Sequence, residues 1–290
     1  MTAPSPDPVE IRKGAAFYNA RGLFIYNLYV LRFNNRFLWR CPRRRLLRHY
    51  DQHIRCNHLD VGPGTGWYLQ HASFPCQNPS VTLLDLSPDS LATAGRRLRR
   101  LSPTLVNSDI FSPIPTDEKY DSIAANYVFH CIPGDWATKS LAMKHIAAAL
   151  SPEGVFFGST ILGQGVRHNL LGRRTMARFN ESGTFHNDTD DLDGLRKALD
   201  DHFEKYTTTM VGKVALFSAT TPRTGARRQR LNLLPRPPCA WAASEQRHLG
   251  PAGEPQSPWA ISRLADADAR ARDTLALRPE NQLYRARRRK

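Results

Sequence analysis

The chain has 290 residues, 41% of them hydrophobic, which is enough for one or two domains with a buried core. Its formal net charge of +15 would be typical of a nucleic-acid or membrane binder if it were spread over the chain. More than half of the excess lies in residues 221–290, which carry 15 Lys and Arg against 6 Asp and Glu. The composition therefore does not favour nucleic-acid binding by the body of the protein.

The N-terminus and the cysteines suggest where the protein works. The start of the chain has no basic and apolar signal-peptide pattern, and the apolar stretch 23–31 is too short to span a membrane. The five cysteines form no CxxC pair, their odd number does not indicate a disulfide framework, and no Cys/His cluster has a zinc spacing. We therefore expect a cytoplasmic protein with no membrane span, with reduced cysteines and with no metal site.

The predicted elements begin after a Pro-rich leader, residues 1–13, which we expect to be disordered. Aromatic and apolar residues at helical spacing predict a helical segment over residues 14–52, which we interpret as a lid. Short apolar runs then alternate with helical patterns, which is typical of βαβ units and a mostly parallel sheet. The runs are residues 57–62, 81–87, 104–109, 120–129 and 154–162.

The strand series ends in a predicted hairpin. Two strand-like runs, 204–212 and 213–220, meet at a Gly-Lys step that leaves no room for a crossover helix. We predict an α/β fold: a doubly wound, Rossmann-like, mostly parallel seven-stranded sheet with an antiparallel C-terminal hairpin strand and a helical N-terminal lid. The main domain is expected over residues 53–220.

Residues 221–290 differ from the rest, with eight prolines and few large apolar residues. This composition predicts a basic, largely disordered tail with no required role. An arginine-rich tether for nucleic acid, ending in "RARRRK", is the alternative.

A glycine-rich loop, "DVGPGTG", follows the first predicted strand. Glycines at this place let the backbone approach a ligand that a Cβ atom would obstruct, and the helix that follows offers free N–H groups. The dinucleotide pattern GxGxxG would place its third glycine at position 67, where the chain has Trp67 instead. No Gly-Lys-Ser/Thr follows, so a P-loop is excluded.

Two acidic residues point to an adenosine ligand. Asp85 closes the second predicted strand, where a carboxylate can accept hydrogen bonds from the hydroxyls of a ribose. Asp60 precedes the glycines, where it would repel a pyrophosphate and suit a ligand with an ammonium group.

At this point the sequence resembles the class I S-adenosylmethionine-dependent methyltransferases over about residues 45–220. The segments "LDVGPGTG", "LLDLS", "NSDIF", "YDSIAANYVFHCI" and "LSPEGVFFGS" are similar to five motifs of that family, in the same order. The resemblance implies that S-adenosyl-L-methionine is the cofactor. It also implies a set of cofactor-binding residues: Asp60, Gly62, Pro63, Gly64, Gly66, Asp85, Leu86, Asp109, Ile110 and Asn126.

A narrower resemblance concerns the acceptor. The segments "YNLYVLRFNNRFLWRCP" and "NYVFHCIPG" are similar to small-molecule methyltransferases of microbial natural-product pathways, some of which methylate hydroxyls on polyketide-derived rings such as α-pyrones. This implies O-methylation of a secondary metabolite. Tyr26, Tyr29 and Tyr127 are candidate substrate contacts, with packing in the core as the alternative for each of them.

His130 is the candidate general base, because it follows the fourth strand at the edge of the sheet that carries the glycine loop. A buried histidine that orients Asn126 or Tyr127 is the alternative. Two other functions stay open: a methyltransferase acting on RNA or protein, and an inactive protein that binds the cofactor. The sequence makes no prediction of the oligomeric state.

Overall fold

The structure is a computed structural model that describes residues 38–116 and 118–223. The predicted leader, most of the predicted lid with Tyr26 and Tyr29, and the tail from residue 224 lie outside the described residues. The domain boundaries proposed from the sequence therefore stay predictions.

A seven-stranded sheet forms the centre of the described part, with strand order β3-β2-β1-β4-β5-β7-β6. Strands β1 to β5 are parallel, and β7 lies antiparallel between β5 and β6. The predicted fold class, including the antiparallel hairpin, is confirmed. The strands are β1 Asn57–Val61, β2 Ser80–Asp85, β3 Thr104–Asn107, β4 Tyr120–Asn126, β5 Leu150–Ile161, β6 Phe203–Val211 and β7 Val214–Pro222.

Six α-helices accompany this sheet within the described residues. Four of them begin where an Asp, Asn or Ser side chain accepts a hydrogen bond from a backbone N–H of the first turn, as expected of N-caps. These caps are Ser87, Asp135, Asn169 and Asp191. The helices are α1 Arg43–His53, α2 Trp67–His71, α3 Pro88–Arg97, α4 Trp136–Ala149, α5 Leu170–Glu181 and α6 Leu192–Asp200.

Buried apolar side chains form separate clusters. One cluster joins α4 and α6 to the sheet through residues such as Met143, Leu195 and Phe156. Another joins α1 and α3 to it through Tyr50, Leu91 and Phe157. Helix α1, the described end of the predicted lid segment, therefore packs on the core around the sheet. Its packing holds Tyr50 against the carboxyl end of β1.

Several element boundaries differ from those predicted, β5 for example beginning at Leu150 rather than at residue 154, and two differences concern the turns after β1 and β4. Strand β4 ends at Asn126 rather than at residue 129, because Tyr127 has a positive φ of 59° and the chain then turns through a 3-10 helix, Phe129–Cys131. The helix after the glycine loop, α2, has only five residues. The first turn of this helix still has free backbone N–H groups, and their contribution to ligand binding stays a prediction.

The expectation of reduced cysteines is wrong for one pair. Cys56 and Cys76 form a disulfide across Cα atoms 6.0 Å apart, a distance that suits the bond. Cys56 directly precedes β1, and Cys76 lies in the loop before β2. The two cysteines are 20 residues apart in the sequence, so no short spacing motif predicts the pair. Cys41 and Cys131 are free. A cytoplasmic location stays a prediction, and it no longer has support from the cysteines.

Among the helices of the described residues, none is long and apolar enough to cross a membrane.

Candidate active site

A cleft opens at the carboxyl ends of β1, β2 and β4, where ligands bind in open α/β sheets. It contains about 1160 Å³ of empty space, part of which is open to solvent. Its wall combines the glycine loop, the ends of three strands and the turn after β4. The lining residues include Tyr50, Gly62, Pro63, Gly64, Trp67, Tyr68, Asp85, Leu86, Asp109, Ile110, Phe111, Asn126, Tyr127, Cys131 and Ile132.

The glycine loop forms one edge of this cleft. Gly62 and Gly64 both have positive φ values, 63° and 55°, in the left-handed region that favours glycine. A Cβ atom on Gly62 would approach the Val128 side chain to 2.8 Å, whereas one on Gly64 would meet no atom of the described residues within 4 Å. The space beside Gly64 is therefore available to a ligand. Gly66, which the resemblance also assigned to the cofactor, does not line the cleft and serves as the N-cap of α2.

Two carboxylates lie at the opposite edge. Asp85 ends β2, and one of its oxygens accepts a hydrogen bond from the backbone N–H of Ser87 at 2.9 Å. Burial raises the pKa of Asp85, while that hydrogen bond acts in the opposite direction. Asp109 accepts the backbone N–H of Phe111 at 2.9 Å and stands beside Ile110. Each carboxylate is thus oriented by the backbone, and both line the cleft together with an apolar residue that can cover a flat ring.

Asp60 lies one layer below the cleft rather than in its wall. Its side chain is 2% exposed, and its Oδ2 accepts a hydrogen bond from the Tyr50 hydroxyl at 2.9 Å. Its Oδ1 has no hydrogen-bond partner within the described residues. Burial raises the pKa of Asp60 to about 7, the Tyr50 hydrogen bond opposes this shift, and Asp85 adds to it. A half-satisfied buried carboxyl of this kind is suited to the neighbourhood of a positive charge.

The residues after β4 form the remaining wall. The Asn126 Oδ1 accepts a hydrogen bond from the Ser159 hydroxyl at 3.0 Å, which fixes the amide at the floor of the cleft. Tyr127 adopts its positive φ while its N–H donates to the Ser159 carbonyl at 2.8 Å. Such conformations in a non-glycine residue cluster at functional sites. Tyr127 lines the cleft, and its role as a substrate contact stays a prediction.

Comparison with known proteins identifies the family. Residues 59–156 match the model of a methyltransferase domain. The chain is 38% identical over 213 residues to demethylluteothin O-methyltransferase of Streptomyces thioluteus. This alignment covers 73% of this chain and 93% of that protein. It is 36% identical over 223 residues to the physcion biosynthesis cluster O-methyltransferase of Aspergillus chevalieri, with 76% and 99% covered. The chain belongs to the S-adenosylmethionine-dependent methyltransferases.

The fold of this methyltransferase agrees with that assignment. It is similar to the structure of the DhpI–SAH complex, with a TM-score of 0.52 at 16% sequence identity, over 76% of this chain and 100% of that one. The cleft also fits the cofactor on its own observations. Gly64 leaves open space, and the Asp60 Oδ1 is a buried acceptor without a partner among the described residues. An adenosine ligand with a cationic arm would use both features.

His130, the predicted general base of the methyltransferase, lies buried behind the wall of the cleft. It is 1% exposed, it does not line the cleft, and its ring packs edge-on against Phe185 and Tyr127. Burial, with a smaller effect of Lys139, lowers the pKa of His130 to about 3, so the imidazole is neutral near pH 7. This position suits the alternative of a packing histidine better than contact with an acceptor. A role as general base stays an untested prediction.

The sequence did not single out several residues that line the cleft. Tyr50 comes from α1, before the matched family domain, and Tyr68 stacks on it with ring centroids 5.4 Å apart. Trp67, noted only for disfavouring a dinucleotide, lines the cleft under the Arg43 guanidinium, 5.0 Å from its ring. Helical spacing alone does not separate such aromatic residues from ordinary core residues. Trp67 and Tyr68 directly follow the glycine loop in the sequence, and this position is the one signal that could have indicated that they line the cleft.

No group of three or more His, Cys, Asp or Glu residues in the described part of the methyltransferase is arranged to hold a metal ion.

Proposed function

We propose that the methyltransferase transfers a methyl group from S-adenosylmethionine to a hydroxyl oxygen of a flat small molecule, such as a phenolic or enolic ring of polyketide origin. The observation that carries this proposal is the aromatic wall of the cleft, where Trp67, Tyr68 and Tyr127 border the same space as the carboxylates Asp85 and Asp109. Aromatic walls with few polar groups favour flat, largely apolar ligands. The relatives named O-methyltransferases support the choice of oxygen.

The cofactor, when bound, supplies a sulfonium methyl group, so that a C–O bond to the acceptor forms as the C–S bond breaks and the sulfur keeps the electron pair. The chain's own contribution is positioning. Asp85 would accept hydrogen bonds from the ribose hydroxyls, and Asp109 would accept a hydrogen bond from the adenine amino group. Ile110 would cover the adenine ring. Asn126, whose amide is held by Ser159, would lie near the methionine part of the cofactor. Alignment of two bound reactants can supply about 7–11 kcal/mol of the barrier in favourable cases.

The acceptor's own acidity is part of this proposal. A general base in contact with the acceptor contributes about 10²–10⁴-fold to the rate when the acceptor holds its proton tightly. The predicted base, His130, lies under the wall of the cleft rather than in it. We propose that the hydroxyl is acidic enough to lose its proton to solvent as the methyl group arrives. Phenols and enols meet this condition, and aliphatic alcohols do not.

Two measurements on the full chain test the proposal. Calorimetry compares S-adenosylmethionine with NAD, and binding of NAD alone would remove the assignment of the cofactor to this cleft. Transfer of a labelled methyl group is then measured with 1-naphthol, 4-hydroxy-6-methyl-2-pyrone, aniline and cyclohexanol as acceptors. We expect O-methyl products from the first two. Turnover confined to aniline or cyclohexanol would contradict O-methylation of an acidic hydroxyl.

A variant with Asp85 replaced by Asn serves as the control for these assays. It keeps the size of the side chain but offers a ribose only one acceptor oxygen. We expect weaker cofactor binding and the same order among the acceptors. A changed order would show that Asp85 contacts the acceptor rather than the ribose.

A further inference from the structure

Two adjacent leucines at the start of α5 are exposed to solvent. Leu170 and Leu171 are 68% and 57% exposed, and they are the first two residues of the helix. The other exposed large apolar side chains of the described residues are Leu105 on β3, at 47%, and Met210 on β6, at 36%. Single exposed apolar residues are common on protein surfaces, whereas an adjacent pair with this exposure indicates contact with an apolar partner.

The charge around the two leucines is positive. Residues 167–181 contain four arginines and one acid, Glu181, which ends α5. The exposed Asp188 lines a hollow beside α5, so four positive charges stand against two negative ones. All four arginines are exposed, and none of them forms an ion pair with an acid of the described residues. They are Arg167, Arg173, Arg174 and Arg178.

The start of α1 brings further positive charge to this part of the molecule. Trp39, just before α1, packs edge-on against His168, just before α5, with ring centroids 5.9 Å apart. One apolar cluster joins Trp39 to α5. Helix α1 begins with three exposed arginines at residues 43–45, and the Arg43 guanidinium lies 5.0 Å from the Trp67 ring in the wall of the cleft. The basic surface around α5 therefore continues towards the cleft.

An anionic lipid surface fits this combination better than a nucleic acid or an acidic protein does. Arginines bind the phosphates of a nucleic acid, but its backbone offers no apolar phase for two leucines. Adjacent residues of a helix project about 100° apart, so Leu170 and Leu171 point in different directions. A fluid acyl layer can surround both side chains, whereas a rigid partner would need a separate pocket for each of them.

We propose that α5 is a contact surface for an anionic phospholipid bilayer. Leu170 and Leu171 enter the boundary between the headgroups and the acyl chains, and the arginines around them contact lipid phosphates. Inserted apolar side chains and basic residues near an anionic leaflet both strengthen such binding. No residue of α5 lines the cleft, so this surface is separate from the site of methyl transfer. The inference goes beyond the proposed O-methylation and does not depend on the acceptor.

Sedimentation of the full chain with lipid vesicles tests the contact. Vesicles of three parts phosphatidylcholine and one part phosphatidylserine are compared with vesicles of phosphatidylcholine alone. We expect partition onto the anionic vesicles to be at least about tenfold stronger at about 0.1 M salt. Raising the salt to about 0.5 M should remove most of this difference, because the attraction between exposed charges is then screened.

A leucine variant tests the apolar part of the contact. Leu170→Ser/Leu171→Ser should weaken partition onto the anionic vesicles by at least about tenfold, because two apolar side chains no longer enter the bilayer. The control Leu105→Ser removes an exposed leucine from β3, away from α5, and should leave the partition unchanged. Methyl transfer to 1-naphthol without vesicles should be unchanged in both variants, which shows that they are folded.

An arginine variant tests the charged part. Arg173→Gln/Arg174→Gln should weaken the partition by about fivefold for each charge and so by about 25-fold together. The matched control is Arg99→Gln/Arg100→Gln, which removes two adjacent exposed arginines just before β3 and changes the net charge equally. It should leave the partition unchanged.

Three results would overturn the inference. One is equal partition, or none, of the wild-type protein with the two kinds of vesicle. Another is binding that both α5 variants retain in full, which would assign the contact to another surface, such as the basic residues 221–290. The third is binding that the arginine variant loses and the leucine variant keeps, since a purely electrostatic contact is typical of a surface for nucleic acid or acidic protein. None of these results bears on methyl transfer, so the proposed function is tested separately.

Discussion

The Lys139 ammonium group and the Asp190 carboxylate form an ion pair 2.6 Å apart, with the two side chains 0% and 1% exposed. Lys139 also donates to the His186 carbonyl at 2.7 Å, and the His186 N–H donates to the His130 carbonyl at 2.8 Å. The pair therefore joins α4, the segment before α6 and the turn after β4. The turn after β4 carries part of the wall of the cleft.

Removal of one partner should be far more damaging than removal of both. We expect Lys139→Met to lower the free energy of unfolding by about 3–5 kcal/mol, because it leaves a buried carboxylate unpaired. The double variant Lys139→Met/Asp190→Leu should recover most of this loss. Denaturant unfolding of both variants provides the measurement. Asp193→Asn, which breaks an exposed pair with Arg196, is the control and should have no measurable effect. Equal losses in the single and double variants would contradict the role of the unpaired charge.

The disulfide Cys56–Cys76 encloses β1, the glycine loop and α2. Opening a loop of this length should lower the free energy of unfolding by about 3 kcal/mol. We expect this loss in Cys56→Ser/Cys76→Ser and in the reduced wild-type protein. Reductant should have no further effect on the double variant. Mass spectrometry of the alkylated protein checks the bond directly, and two additional free thiols under non-reducing conditions would refute it.

The mostly parallel sheet and its antiparallel hairpin follow from local patterns in the sequence. Apolar runs separated by helical segments predict parallel strands, and the Gly-Lys step at residues 212–213 is too short for a crossover. These patterns depend only on residues close in sequence, and the structure confirms the strands and the hairpin that they predict. The meeting of Asp85, Asp109 and Asn126 in one cleft was predictable for the same reason, because they lie at or just after strand ends that a parallel sheet brings together.

The depth of each side chain was not predictable in this way. Asp60 and His130 follow the same strand-end logic, yet both lie below the surface of the cleft. The difference comes from Tyr50, which covers Asp60 from α1, and from the positive φ of Tyr127, which redirects the chain before His130. Both causes are tertiary. A pattern read along the chain contains neither the packing of α1 nor the hydrogen bond of Tyr127 to Ser159.

Gly62→Ala should weaken cofactor binding by at least about tenfold. The added Cβ would lie 2.8 Å from Val128, and the φ of 63° is unfavourable for alanine. Gly183→Ala is a matched control, since Gly183 has a φ of 69° with open space around it and lies outside the cleft. The positive φ should cost each variant about 1 kcal/mol of stability, and the contact with Val128 should add to the loss in Gly62→Ala, but only Gly62→Ala should change the calorimetric Kd. An equal effect of both on Kd would refute close approach of the loop to the ligand.

His58 should make stability sensitive to acid. Burial lowers its pKa in the folded protein to about 3 from an ordinary value of 6.5, so between these values the unfolded chain binds a proton that the folded protein does not. The wild-type protein should therefore lose up to about 1.4 kcal/mol per pH unit relative to His58→Gln as the pH falls from 6.5 towards 3. The comparison cancels the opposite contribution of Asp60, whose pKa is raised. Denaturant unfolding at pH 7, 5.5 and 4.5 measures the difference, and a constant difference would contradict the buried neutral histidine.

His130→Asn distinguishes a general base from a packing residue. The imidazole is 1% exposed, and its Nδ1 has no hydrogen-bond partner within the described residues. Ring packing against Tyr127 and Phe185 holds it in place without a bound acceptor. If His130 is the general base, its replacement should lower kcat by about 10²–10⁴-fold and remove one limb of the pH–rate profile. Given its place below the cleft, we expect instead a lower Tm, a change in kcat below tenfold and an unchanged profile. Methyl transfer to 4-hydroxy-6-methyl-2-pyrone, or to 1-naphthol, between pH 6 and 9 provides the measurement. Loss of the acidic limb in the variant, with Tm preserved, would restore His130 as the base and would require the turn after β4 to open during turnover.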